Sequence, residues 1–311
     1  MILTVTLNTA IDKFYMLERF EPYTVMRVSR VNNTAGGKGM NVARIAALGG
    51  EQVTAMGFVG GYNGQLFESL ITQPNIKKAF THVKAETRCC INGWDDSVKR
   101  STEYLEPGAP VSADEVERFA QDFQRELAGA QVVTISGSMP AGVPKDFYAS
   151  MIALCQEAGV PVLLDTSGES LRIAATAGPT LIKPNTDELK QLLGKDITSR
   201  GEVAAAAKAL HLGGIPHVVV SLGADGAVMA CKEGAFHGKP PQIAPINTVG
   251  CGDSMIGGFA VGFARGWSAE ESLVYAVAVS AANALSMGTG NYDPDDLNSL
   301  MDKIIIQKID K

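Results

Sequence analysis

Short β-branched runs recur along this chain, and the segments between them repeat at helical spacing. ILTVTL, QVTAMGFVG, QVVTISG, VPVLLDTS, TLIKPN and HVVVSLG are separated by stretches such as NVARIAALG, ADEVERFAQDFQRELAGA, KDFYASMIALCQEAG and EVAAAAKALHLGG. A strand buried on both faces reads as a short continuous apolar run, and a crossover helix carries the chain back to start the next parallel strand. The rhythm places the chain in the α/β class. Gly49, Gly129, Gly159 and Gly213 stand where helical segments run out, as C-terminal caps do.

A length of 311 residues suits one large domain or a domain with a small appendage, and we expect a single α/β domain over residues 1–311. The 46% hydrophobic content predicts a sizeable core. A net charge of -6 without any basic run argues against nucleic acid as a partner. Anionic ligands are then left to a few local cations. Cys89, Cys90, Cys155, Cys231 and Cys251 form no CxxC pair and no cluster with zinc spacing, as expected of reduced thiols. MILTVTLN reads as a strand and not as a signal segment, and MIGGFAVGFARGW is interrupted by Gly and Arg. No membrane partner and a cytoplasmic location are expected.

Two stretches break the rhythm. Residues of about 13–34 and 86–105 alternate polar and apolar side chains with no helix between, which predicts antiparallel strands with one exposed face. They are either edge hairpins of the main sheet or a small β lid over the strand ends where open α/β sheets bind ligands. The lid is favoured, because both follow junctions rich in polar residues.

NTVGCGDSMIGG, residues 247–258, sets a Gly-rich turn and one carboxylate at an apparent helix start. Free N–H groups of Gly250, Cys251 and Gly252 together with the helix dipole would make an anion site. Asp253 beside it would serve as a general base during phosphoryl transfer, or else simply cap the helix. AGGKGMNVAR, residues 35–44, has neither Walker nor GxGxxG spacing. Gly37, Lys38 and Asn41 would suit a polyhydroxylated or phosphorylated ligand, and a tight strand-to-helix turn explains them equally.

Single residues add to these loops. Asp12 in NTAID follows the first strand, where a carboxylate can grip sugar hydroxyls or lie in an exposed loop. Arg27 and Arg88 lie on the two alternating excursions, as ligand contacts or as solvated charges. Asn185 and Glu188 in KPNTDE share a helical face and could hold hydrated Mg²⁺, or Glu188 could be a first-turn acid. SLGADGA, residues 221–227, is a turn between strands that can also line a nucleotide, and ISGSMPAG, which contains Ser138, opens a strand end for a ligand. The histidines receive no role.

In this order AGGKGMNVA, ETR, ISGSMPAG, KPNTDE, SLGADG and NTVGCGDSMIGG resemble the ribokinase-like carbohydrate kinases, the phosphofructokinase B family, over nearly the whole chain. Within the family the segments are most similar to tagatose-6-phosphate kinases, with 1-phosphofructokinases next. The resemblance implies a three-layer sandwich with a β lid, and transfer of the ATP γ-phosphoryl to a hydroxyl of a phosphorylated ketohexose. It implies that Asp253 is the base and that Gly250, Cys251 and Gly252 form the anion hole. Asp12, Gly37, Lys38, Asn41 and Ser138 would bind the sugar, with Arg88, Lys38 and Arg27 on its phosphate. Lys183, Asn185, Ser221, Gly223, Gly226 and Asn283 would lie near the nucleotide, with Asn185 and Glu188 toward Mg²⁺, usually through water. It also implies a homodimer formed through the lid. Thr9, Asn247 and Cys251 depart from the family's usual residues. The alternatives are a 1- or 6-phosphofructokinase, a kinase of unphosphorylated sugars or nucleosides, disfavoured by Lys38 and Arg88, and a non-catalytic sugar-phosphate sensor.

Overall fold

A computed structural model describes residues 1–309. The chain starts with β1 (Ile2–Asn8), β2 (Ala10–Leu17), β3 (Arg30–Gly36), α1 (Lys38–Leu48), β4 (Val53–Gly60) and α2 (Gly61–Ser69). Next come β5 (Ile76–Lys78), β6 (Thr81–Val83), β7 (Arg88–Asp95), β8 (Arg100–Leu105), α3 (Ala113–Leu127), β9 (Val132–Ser136) and α4 (Phe147–Glu157). The middle holds β10 (Val162–Asp165), α5 (Gly168–Ala175), β11 (Leu181–Ile182), α6 (Thr186–Leu193), α7 (Arg200–Leu212), β12 (His217–Ser221) and β13 (Ala227–Cys231). The chain continues through β14 (Gly234–Lys239), α8 (Cys251–Ala264), α9 (Ala269–Leu285), α10 (Pro294–Met301) and β15 (Ile305–Lys308).

The large sheet runs β15-β14-β13-β12-β11-β10-β9-β1-β4-β5, with β6 also pairing β4. From β5 to β12 its ladders are parallel, and β13, β14 and β15 extend it antiparallel. Side chains alternate between its faces, so it supplies two cores. Ile2, Val132, Leu163 and Val219 pack with α1, α8 and α9 on one side. Leu3, Val133, Leu164 and Val220 pack with α3, α4 and α7 on the other. The result is three layers, helix–sheet–helix, as the α/β reading expects.

Capping explains where several helices begin. Ser112, Asn185, Ser199 and Ser268 each accept from a backbone N–H three residues on, and each is answered by a glutamate in a capping box. Gly49 and Gly213 end α1 and α7 as C-caps, whereas Gly129 and Gly159 come one residue after the C-caps Ala128 and Ala158.

The second sheet has the order β3-β2-β7-β8. The two alternating stretches of the sequence supply its strands. β2 with β3 and β7 with β8 are antiparallel pairs, joined by a parallel β2–β7 ladder that alternation alone does not specify.

α8 lies wedged between α1 and α9. The close approach is made at Gly258, where a Cβ would fall 2.6 Å from the Cα of Ala276 in α9. Gly258→Val should therefore lower unfolding free energy by about 2–3 kcal/mol, since backbone in a packed core yields little to an added side chain. Urea unfolding checks this, and an unchanged midpoint would refute the packing account.

Candidate active site

A cavity of about 820 Å³ opens above the carboxyl ends of β1, β9, β10, β11 and β12, with the second sheet as its opposite wall. An open α/β sheet binds ligands at this end because loops diverge there. Asp12, Gly37, Lys38, Asn41, Arg88 and Ser138 line it, as do Lys183, Asn185, Glu188, Ser221 and Gly223. Gly250, Gly252 and Asp253 complete that set of sequence-predicted residues.

Gly250 is the N-cap of α8 with φ 79, a left-handed conformation that favours glycine. A Cβ there would also meet the Thr289 methyl at 2.5 Å. Asp253 does not cap the helix, for α8 has no side-chain cap. Its buried carboxylate instead accepts through Oδ2 from Asn41 Nδ2 at 2.6 Å. The capping explanation for Asp253 therefore fails. Burial raises the Asp253 pKa above the ordinary carboxylate value, while Lys38 opposes the shift.

Asp12 is pushed up to about 6, chiefly by burial, with Arg44 and Arg88 pulling it back. Arg88 spans two carbonyls, with Nη1 donating to Glu106 at 2.7 Å and Nη2 to Asn8 at 3.0 Å. Among the described residues its buried Nε has no acceptor. The side chain of the same Asn8 donates to Ser138 Oγ at 3.1 Å, which joins Arg88 and Ser138 through one residue.

Several expected contacts lie elsewhere. Arg27 is exposed on the loop between β2 and β3 and does not line the cavity. Asn283 is fully buried behind the Gly-rich loop, where Nδ2 donates to Val249 O at 3.1 Å and Oδ1 accepts from Gly290 N at 2.9 Å. It braces the loop instead of facing a ligand. Gly226 turns between β12 and β13 against the Gly238 carbonyl, away from the cavity wall. Cys251 is also outside that wall, with its N–H turned to Thr248 O at 3.4 Å. Burial raises its thiol pKa.

Asp165 and Arg44 carry weight that the sequence did not reveal. Asp165, at the end of β10, is 1% exposed and lies between Lys183 Nζ at 3.3 Å and Lys38 Nζ at 3.6 Å. The pairing raises the Lys38 pKa and keeps it charged at the cavity edge. Lys183 is buried under α8, and a Cβ on Gly252 would lie 3.2 Å from its Nζ. Arg44 donates to Asn41 Oδ1, and burial lowers its pKa against the pull of Asp12 and Asp253. The one available signal for Asp165 was a carboxylate at the end of an apolar strand, in VLLD.

For Mg²⁺ the donors are few. Asn185 Oδ1 accepts from Glu188 N at 2.8 Å and Glu188 Oε2 accepts from Asn185 N at 2.9 Å, so both residues build the cap of α6. The second oxygen of Glu188 takes no part in that box, and Glu188 lines the cavity. No cluster of three or more metal-ligating side chains exists among the described residues. This set fits a hydrated ion shared with ligand phosphates and does not fit a protein cage.

The raised Asp12 pKa has a stability consequence. Its contribution is fully present below the unfolded value of 3.8 and is lost as pH rises through about 6. Asp12→Asn, which cannot ionise, should be more stable than the parent by about 3 kcal/mol near about pH 8, and the gap should close below about pH 3. Urea titrations at both pH values measure it, and a pH-independent difference would contradict the assignment.

Residues 5–296 match the pfkB family carbohydrate kinase profile. A tagatose-6-phosphate kinase of Staphylococcus epidermidis is 38% identical over 312 residues, covering 99% of this chain and 100% of the relative. Phosphofructokinase-2 from Escherichia coli, solved in complex with potassium, superposes with a TM-score of 0.90 at 30% identity, covering 97% of this chain and 98% of that one. A possible 1-phosphofructokinase from Thermotoga maritima gives a TM-score of 0.87 at 26% identity, covering 99% of each chain. No helix among the described residues is long and apolar enough to cross a membrane. A family match over most of the chain and a full-length relative above 30% identity agree, and the chain belongs to the pfkB family of carbohydrate kinases.

Proposed function

We propose that the chain transfers the γ-phosphoryl group of ATP to a hydroxyl of a ketohexose phosphate, with tagatose 6-phosphate as its substrate and tagatose 1,6-bisphosphate as its product. The observation that carries this reading is Asp253, buried at the start of α8 and held by Asn41 in a cavity that also presents Lys38 and Arg88. Full-length similarity to tagatose-6-phosphate kinases supports the choice of sugar.

Asp253 takes the proton of the acceptor hydroxyl. That oxygen bonds to the γ-phosphorus as the bond to the bridging oxygen breaks, and ADP leaves. N–H groups of Gly250 and Gly252 at the positive end of α8 hold the charge on the phosphoryl oxygens. The Cys251 N–H would join them only by giving up its bond to Thr248 O. Asp12, Gly37, Asn41 and Ser138 hold the sugar, and Arg88 with Lys38 its phosphate. Lys183, Asn185, Ser221 and Gly223 face the nucleotide. Glu188, with Asn185, would hold Mg²⁺ through water, and the ion when bound neutralises charge on the transferred phosphates. A mere sensor has no need for a buried carboxylate beside an anion site.

The second sheet acts as a lid and as the contact between two copies. Tyr23, Val25, Val31 and Tyr104 are exposed apolar residues on it and on its β2–β3 loop, outside the cavity lining. Such a cluster marks an association surface. Arg27 lies on the same loop, so it meets a bound phosphate only if the loop folds over the cavity or is supplied by a second copy.

ADP release should be measured across tagatose 6-phosphate, fructose 6-phosphate, fructose 1-phosphate and unphosphorylated ketohexoses. The highest kcat/KM is expected for tagatose 6-phosphate, and response to none of these sugars would sink the kinase reading. Asp253→Asn should lower kcat by about 100-fold or more with the fold retained. Arg88→Ala should raise KM for phosphorylated sugars by about tenfold or more, with little effect on unphosphorylated ones. The acidic limb of kcat should fall above the ordinary carboxylate value of 3.8, given the raised Asp253 pKa. Val31→Asp combined with Tyr104→Asp should convert a dimer to a monomer in sedimentation. A parent chain that is already monomeric would remove the dimer proposal.

A further inference from the structure

Arg44 has no part in the chemistry above, yet its guanidinium ties together the segments that carry it. Nη1 donates to Ala35 O at the end of β3 at 2.5 Å. Nη2 donates to Thr289 O, in the loop before α10, at 3.2 Å, and also to Asn41 Oδ1 in the first turn of α1. A guanidinium offers donors only, whereas an asparagine amide has an acceptor at one end and donors at the other. The bond from Arg44 therefore dictates which way Asn41 points. With Oδ1 committed to Arg44, Nδ2 faces Asp253 and donates to Oδ2 at 2.6 Å. The flipped amide would set Oδ1 against the Asp253 carboxylate and the NH₂ group against the guanidinium, two mismatches at once.

We propose that Arg44 is the positioning residue of the catalytic carboxylate, acting through the amide of Asn41. The proposal rests on Asp253 being the base. A second link runs through Thr289, whose carbonyl Arg44 holds and whose methyl packs at the α-carbon of Gly250. One cation thus fixes both the base and the N-cap of the anion site. Lysine cannot replace it, because a single ammonium on a flexible stem does not hold three acceptors in fixed directions.

The test is a cycle of Arg44→Lys, Asn41→Ala and the double variant, assayed on whichever sugar the unsubstituted chain phosphorylates, with thermal unfolding recorded for each. Arg44→Lys should lower kcat about tenfold or more while KM for ATP and sugar changes less than about threefold. In the Asn41→Ala background the same change should cost clearly less than it does alone, because only the link through Thr289 remains. A folded Arg44→Lys variant with unchanged kcat, or costs that multiply in the double variant, would overturn the proposal. If Arg44→Lys does not fold, the unsubstituted chain decides. Its Asn41 side-chain amide protons, followed by NMR, should exchange more slowly than those of exposed asparagines, and equal rates would overturn it. If the chain phosphorylates no sugar, the proposed function fails, while the exchange measurement still decides whether Asn41 is locked.

Discussion

A single hydrogen bond, from Asn41 to Asp253, spans 212 residues of sequence. It fastens the first turn of α1 to the first turn of α8, two helices that start from separate glycine-rich loops. Burying a carboxylate costs several kcal/mol unless donors and nearby charge compensate it. Here Asn41 supplies the donor, and Lys38, Lys183 and the positive end of α8 supply the field. The packing of α8 between α1 and α9 follows the same demand, since the loops must meet to within hydrogen-bonding distance.

The charges beneath the cavity form an alternating row. Lys38 and Lys183 flank Asp165, and beyond them stands Asp253. Two lysines so close to one anion site would repel each other without the buried carboxylate between them. Asp165 makes their coexistence possible in the cavity wall that both line. Breaking a buried pair of this kind leaves an uncompensated charge, which is more damaging than never having built it.

The elements that could be read from the sequence are those with local causes. Strand and helix alternation, the capping boxes and the two glycine-rich turns express backbone requirements within a few residues, so the α/β class and the strand ends near the site were legible. Asp165, Arg44 and Asn8 were not, because their significance depends on groups that only the fold brings near, as in the Asn8–Ser138 contact and the Asn41–Asp253 bond that Arg44 orients. Asn283 shows the reverse error. Its motif position suggested a ligand contact, but its two-ended amide is spent on the backbone at Val249 and Gly290. The second sheet was visible as alternation, whereas its parallel β2–β7 seam depended on two excursions meeting in space.

Two of the four links between the second sheet and the main body are single residues. Only Thr9 separates β1 from β2, and only Gly37 separates β3 from α1. Thr9 is itself pinned, its hydroxyl donating to the Phe58 carbonyl. Asp12 in β2 and Lys38 at the start of α1 therefore lie within three residues of these two junctions, so the second sheet is tied to the main body at the same end where it walls the cavity.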